Sequence, residues 1–177
     1  GPAAGRPGAG AGVEASTQQT TTVAVQQGTS PTVFYSGVAD AYISSGAETA
    51  NYGQALELRM AYDGRYRILL RFDLADYIPQ EARVTEAKLE LYTYYSEHAS
   101  VSTDVAVYEL LRPWEENGVT WTHATADATW QQVGCEGPGD RSLIYTTLTT
   151  FDTIGTWQVW HGDSLGELVQ RWVSDPQ

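Results

Sequence analysis

Lys88-Leu89-Glu90-Leu91-Tyr92-Thr93-Tyr94 alternates between two kinds of side chain. Successive side chains of an extended strand point to opposite faces, so Leu89, Leu91 and Thr93 share one side while Lys88, Glu90, Tyr92 and Tyr94 share the other. The stretch reads as a strand with one face on a core and the other in water. Asp104-Val105-Ala106-Val107-Tyr108-Glu109-Leu110 repeats the pattern less cleanly, with Val105 and Val107 on its apolar side. Asp63-Gly64 is a two-residue hairpin signal and predicts that residues 56–61 pair with 66–71.

Working outward, strands are predicted near 33–43, 55–62, 65–73, 83–95, 101–111, 128–133, 142–151 and 156–160. Many short strands divided by turn residues imply an all-β jelly-roll β-sandwich. One helix is predicted over 163–173. Leu165, Leu168, Val169 and Trp172 fall at helical spacing on one face, and Ser164 with Glu167 forms a capping-box pattern. Pro176 follows as a stop signal. This short C-terminal helix is expected to plug one end of the sandwich.

Residues 1–30 differ in kind. Residues 1–12 are Gly, Ala and Pro with one Arg, which is linker composition. Thr20, Thr21, Thr22, Val23, Ala24, Val25 and Gln26 are uncharged and rich in β-branched side chains, a strand signature outside the main pattern. The expected organisation is an extended tail over 1–30, carrying a candidate donor strand at about 17–27, and a sandwich over 31–177. The chain opens on Gly1, which reads as a mature or processed form or the remnant of a cleavage.

The 177 residues suffice for one domain plus a tail, and a core of about 150 residues buries roughly 68–70% of its unfolded surface without a staple. The formal charge of −12 argues against nucleic acid and anionic membrane as partners, because both repel such a surface. Cys135 is the single cysteine, so no intrachain disulfide forms, and an inert thiol is expected over an intermolecular link. Eleven Tyr and six Trp against three Phe favour residues with an apolar body and a polar handle, suited to half-buried strand faces and contact surfaces.

Several segments together resemble a known family. Ala39-Asp40-Ala41-Tyr42-Ile43, Asn51-Tyr52-Gly53 and Tyr66-Arg67-Ile68-Leu69-Leu70-Arg71-Phe72-Asp73-Leu74 are similar to the opening half of a DNRLRE domain. Residues 84–92 resemble its next strand, Trp114-Glu115-Glu116-Asn117-Gly118-Val119-Thr120-Trp121 its W-x-E-x-x-V-T-W segment, and residues 168–173 its terminal helix. The resemblance implies a non-catalytic jelly roll of secreted, often multidomain surface proteins. Some such domains are carbohydrate-binding modules of polysaccharide-degrading enzymes, with alginate among their ligands. Family members continue past the helix into a further apolar strand, which this sequence lacks, so a sandwich one strand short is expected.

Two functional expectations follow. In the first, the chain is an extracellular or cell-surface structural subunit of a filament. Residues 20–26 then fill the gap in a neighbouring sandwich by strand donation, with completion within one chain and a truncated C-terminus as the alternatives. In the second, the chain is a carbohydrate-binding module with Tyr94 and Trp130 as its sugar-stacking platform. Asp40 and Asn51 are candidate calcium ligands, with an Asx turn as the competing reading. No cofactor is required. Catalysis is not expected: His98, His123 and His161 lack metal-ligand spacing, no G-x-S-x-G occurs, and Glu115 and Glu116 are adjacent and so face apart on a strand. Glu115 is instead expected to accept bonds from loop backbone.

Overall fold

A computed structural model describes residues 19–97 and 101–175 of the chain. Six strands and one helix follow in order: β1 (Val38–Ser44), β2 (Tyr66–Phe72), β3 (Lys88–Thr93), β4 (Thr103–Val107), β5 (Thr147–Phe151), β6 (Thr156–His161) and α1 (Asp163–Ser174). The fold is all-β with one short C-terminal helix, as the alternation patterns predict. The strands form three antiparallel ladders, β1 with β2, β3 with β6 and β4 with β5, rather than two continuous sheets. Side chains bridge one of the gaps. The hydroxyls of Thr147 and Thr149 on β5 donate to the carbonyls of His161 (2.7 Å) and Val159 (2.6 Å) on β6. The Trp160 indole N–H reaches across to the Val105 carbonyl at 2.8 Å.

The core lies on one face of the β1–β2 ladder. Ala39, Ala41, Ile43 and Leu69 pack against Trp114, Val119, Trp121, Ala124, Trp130 and Cys135, all supplied by the long connection between β4 and β5. Arg67 and Arg71 flank Leu69 on this face. The Arg67 guanidinium lies 4.8 Å from the Trp121 ring centre and donates to the Gly134 carbonyl. The Arg71 guanidinium lies 5.8 Å from the Trp114 ring and donates to the Trp114 carbonyl at 3.2 Å. Each arginine thus lies over an indole ring while satisfying a loop carbonyl, which fastens an irregular segment to a strand.

Four sequence expectations are corrected. The Asp63-Gly64 turn forms, with Gly64 at φ +74 and its N–H on the Ala61 carbonyl at 2.9 Å. Yet residues 56–61 are not a strand, and β2 pairs with β1 in the register Ala41 to Leu69. A turn signal fixes only the turn; burial of Ala41, Ile43 and Leu69 together selects the distant partner. Residues 128–133 hold one isolated bridge, Thr129 with His123, because this segment curls around buried Trp130. Helix α1 starts behind Gly162 without a side-chain cap, so the Ser164–Glu167 capping box does not form. Its buried face is Leu165, Leu168 and Val173, with Trp172 38% exposed. Pro176 lies outside the described residues.

Asp140 organises the long connection. Its carboxylate is fully buried and accepts the backbone N–H groups of Gln131 (2.8 Å), Gln132 (3.0 Å) and Gly137 (3.1 Å) and the Arg112 Nε–H (2.7 Å). Burial pushes this carboxyl's pKa up, but the backbone donors and Arg112 outweigh it and hold the pKa below the ordinary carboxylate value. Cys135, free and buried beside this network, has its thiol pushed up to about 12 by burial, with Asp140 adding to the effect. It is therefore a protonated, unreactive thiol at neutral pH.

Asp140→Ala strands Arg112 and three N–H groups, and is expected to cost about 3 kcal/mol or more in chemical denaturation at pH 7. Because the folded-state pKa is depressed, this contribution is present above the unfolded value of about 3.9 and is lost as pH falls through the folded one. The gap between wild type and variant should close on acidification below about pH 4; a gap that stays constant with pH would contradict the assignment.

Candidate functional site

The β3–β6 ladder has two unlike faces. Its register pairs Leu89 with Trp160, Leu91 with Gln158 and Thr93 with Thr156 on the inner face. It pairs Lys88 with His161, Glu90 with Val159 and Tyr92 with Trp157 on the outer face. Trp160 and Gln158 are buried, whereas Tyr92 is 52% and Trp157 55% exposed. The two outer rings touch at 5.5 Å between centres with 68° between their planes. A large aromatic pair left in water on a regular ladder is the informative kind of exposure, since burial would stabilise the same rings. The position is firmly held: the Gly155 N–H donates to the Thr93 carbonyl at 2.7 Å, and the Gln158 side chain donates to the Thr153 carbonyl at 3.0 Å.

Of the two platform residues read from the sequence, Tyr94 is 60% exposed, with its hydroxyl hydrogen-bonded to Glu57. Trp130 is 4% exposed, packs in the core, and donates its indole N–H to the Thr120 carbonyl at 3.0 Å. Its ring is closed to a sugar face, and Tyr94 and Trp130 do not form one platform. Sequence reading overlooked Trp157. Strand parity alone puts Trp157 and Trp160 on opposite faces of β6, but which of the two faces water is decided by the pairing with β3 and the burial of Trp160.

Asp40 and Asn51 both lie beside Glu116. The Asn51 amide donates to the carbonyls of Glu116 (2.8 Å) and Val119 (2.7 Å), and its Oδ1 accepts the Gly53 N–H at 3.2 Å, an Asx turn. Gly53 is required here, because an added Cβ would meet the Glu116 carbonyl oxygen at 2.0 Å. The Asp40 N–H donates to Glu116 Oε1 at 3.0 Å, so Glu116 rather than Glu115 is the carboxylate that accepts backbone here. Burial, and then the charge of Glu116, raise the Asp40 pKa. Among the described residues no group of three or more His, Cys, Asp or Glu is placed to hold a metal. His98 lies outside the described residues.

Thr20, Thr21, Thr22, Val23 and Ala24 are exposed and Val25 is partly buried, with no ladder pairing any of them. Gln26 makes one bridge to Ser30, and Gln27 Oε1 accepts the Val38 N–H at 3.2 Å. Positions 17 and 18 of the expected donor strand, with the rest of the tail, lie outside the described residues. The segment runs along a wide open cleft whose walls include Ile68, Leu70, Leu89, Leu91, Val105 and Val107, each only partly buried. Among the described residues no helix is long and apolar enough to cross a membrane.

Comparison with curated proteins and with solved structures returned no match. A family model does match: carbohydrate-binding module family 96, over residues 31–135. The matched span runs from the start of the expected sandwich through β1, β2, β3 and β4 to Cys135, and so takes in the β1–β2 core and its Asn51–Glu116 tie. It supports the binding-module part of the resemblance read from the sequence and does not carry the DNRLRE name. With more than half its length matched, the chain belongs to carbohydrate-binding module family 96.

Proposed function

We propose that this chain is a non-catalytic carbohydrate-binding module that holds polysaccharide outside the cell for a larger secreted or surface protein. The observation that carries the reading is the family match over residues 31–135. The surface supports it, because Tyr62, Tyr92, Tyr94, Tyr95, Tyr145 and Trp157 are all more than half exposed on an acidic domain. Rings of this kind offer large rigid contact area at small entropic cost, and sugars present apolar C–H faces to match. The charge of −12 also turns nucleic acid away.

Native electrophoresis of the chain through gels containing individual polysaccharides, neutral and acidic, tests this. Retardation in at least one gel is expected, with calorimetry giving a Kd between micromolar and millimolar, about −8 to −4 kcal/mol. Unretarded migration in every gel would overturn the reading.

A second reading, a filament subunit joined by strand donation, is favoured by one observation. Among the described residues, the uncharged segment 19–25 lies in no ladder and beside a cleft with partly buried apolar walls, and every ladder is two-stranded and so retains open edges. On this reading the segment enters a second copy's cleft and pairs with a free edge. The full chain should then form polymers visible by negative-stain microscopy, and a chain lacking residues 1–28 should remain monomeric. Polymers from the shortened chain, or none from the full one, would sink it.

A further inference from the structure

We propose that the outward edge of β2 is the acceptor for residues 19–25 of a second copy of this chain. This rests on the strand-donation reading above and names its acceptor; the binding-module reading does not enter it.

Hydrogen bonds identify the free edge. The Asp40 N–H donates to Glu116 Oε1 and so points away from β2. Backbone groups of an antiparallel strand turn alternately to either side, and two residues directly opposite point both inward or both outward. Asp40 lies opposite Leu70, so the N–H and C=O of Leu70 point away from β1, and with them those of Ile68 and Phe72. The Ala61 N–H on the Tyr66 carbonyl, at 3.3 Å, shows the same direction two residues before Ile68. Beyond that bond, among the described residues, the outward groups of Ile68, Leu70 and Phe72 have no protein partner. Their side chains are apolar, only partly buried, and line the open cleft.

The other edges are guarded. On β1 the outward N–H groups of Val38 and Asp40 are taken by Gln27 Oε1 at 3.2 Å and Glu116 Oε1 at 3.0 Å. Strand β3 carries exposed Lys88 and Glu90, and β4 carries exposed Asp104. Exposed charges on an edge strand oppose pairing with a further chain. The facing sides of β5 and β6 are bridged by the Thr147 and Thr149 hydroxyls. The charged residues of β2, Arg67 and Arg71, lie on the face away from the cleft side chains and donate to the Gly134 and Trp114 carbonyls.

Charge and reach select the occupant. A chain of −12 repels its own copies, and residues 15–39 hold no charged side chain, so this stretch approaches another copy with least repulsion. Val23 and Val25 share one face of an extended segment, as Ile68 and Leu70 do, so the two apolar rows meet over the cleft. The chain's own segment is too short for the task. Gln27 is held beside β1 by Val38. From there to the far side of β2 is about three strand spacings, roughly 14 Å, and at about 3.3 Å per residue the crossing consumes about four residues, both valines among them. A second copy brings the whole segment.

Negative-stain microscopy and disulfide trapping of the full chain test this. Wild type should form polymers. Val23→Pro with Val25→Pro changes residues outside every ladder and should leave a monomer with the wild-type unfolding midpoint. Leu70→Pro removes an outward N–H and no bond to β1, and should likewise stop polymerisation in a folded chain. Oxidation of an equal mixture of Leu70→Cys chains with Val23→Cys or Val25→Cys chains should give a linked dimer that neither partner gives alone; Cys135 is buried and does not compete. Polymers from folded Leu70→Pro, or polymers without a cross-link from either mixture, overturn the β2 edge and leave the filament reading standing. A double variant, Val23→Cys with Leu70→Cys, that closes only into an internally bridged monomer overturns the second copy as occupant. Wild type that stays monomeric and yields no cross-link removes the filament reading together with this proposal.

Discussion

A buried carboxylate with four donors holds together the part of this molecule that has least regular structure. The connection from β4 to β5 carries Trp114, Trp121 and Trp130 into the core without a strand or helix of its own, so its backbone polar groups need partners that no ladder supplies. Asp140 supplies them at one end, binding Gln131, Gln132, Gly137 and Arg112. At the other end the Asn51 amide donates to the Glu116 and Val119 carbonyls, and the Glu116 carboxylate ties the connection to β1 by accepting the Asp40 N–H. With both ends tied, three indoles can be placed against Ala39, Ala41, Ile43 and Leu69, and Arg67 and Arg71 close the seam. No buried side-chain nitrogen or oxygen is left without a partner among the described residues.

That arrangement divides the labour between two sides of the molecule. The β1–β2 side is densely packed and polar groups there are used up internally. Of the two candidate calcium residues, Asn51 spends its side chain on an Asx turn and two loop carbonyls. The β3–β6 side is thin, with one face on an open cleft and the other in water. Recognition surfaces are drawn from such places, where aromatic rings stay accessible while a ladder fixes their position. The exposed Tyr92–Trp157 pair and the cleft beside residues 19–25 lie on this more open side.

The alternation in Lys88 to Tyr94 made β3 and both of its faces legible, because a period of two is a property of extended backbone whatever its partner. The turn at Asp63-Gly64 was legible for the same reason, as a matter of local φ. What the turn's flanks pair with was not: β2 joins β1 across more than twenty residues, and only the joint burial of Ala41, Ile43 and Leu69 decides that. Trp130 shows the converse error, since an aromatic in a loop-rich stretch looks exposed until Asp140 and Asn51 fold that stretch over the β1–β2 face.

By itself, then, the sequence determined the class of the fold, the alternating sides of its strands and the strongly negative net charge. Each of these follows from local periodicity, composition or charge, which no tertiary contact can change. Tertiary structure alone decided which tryptophan is core and which is surface, and which loop carboxylate becomes the hub. It also set Trp157 opposite Tyr92. Those outcomes depend on strand register and on hydrogen bonds between residues distant in the chain, and the free energy that selects them exists only once the chain has closed on itself.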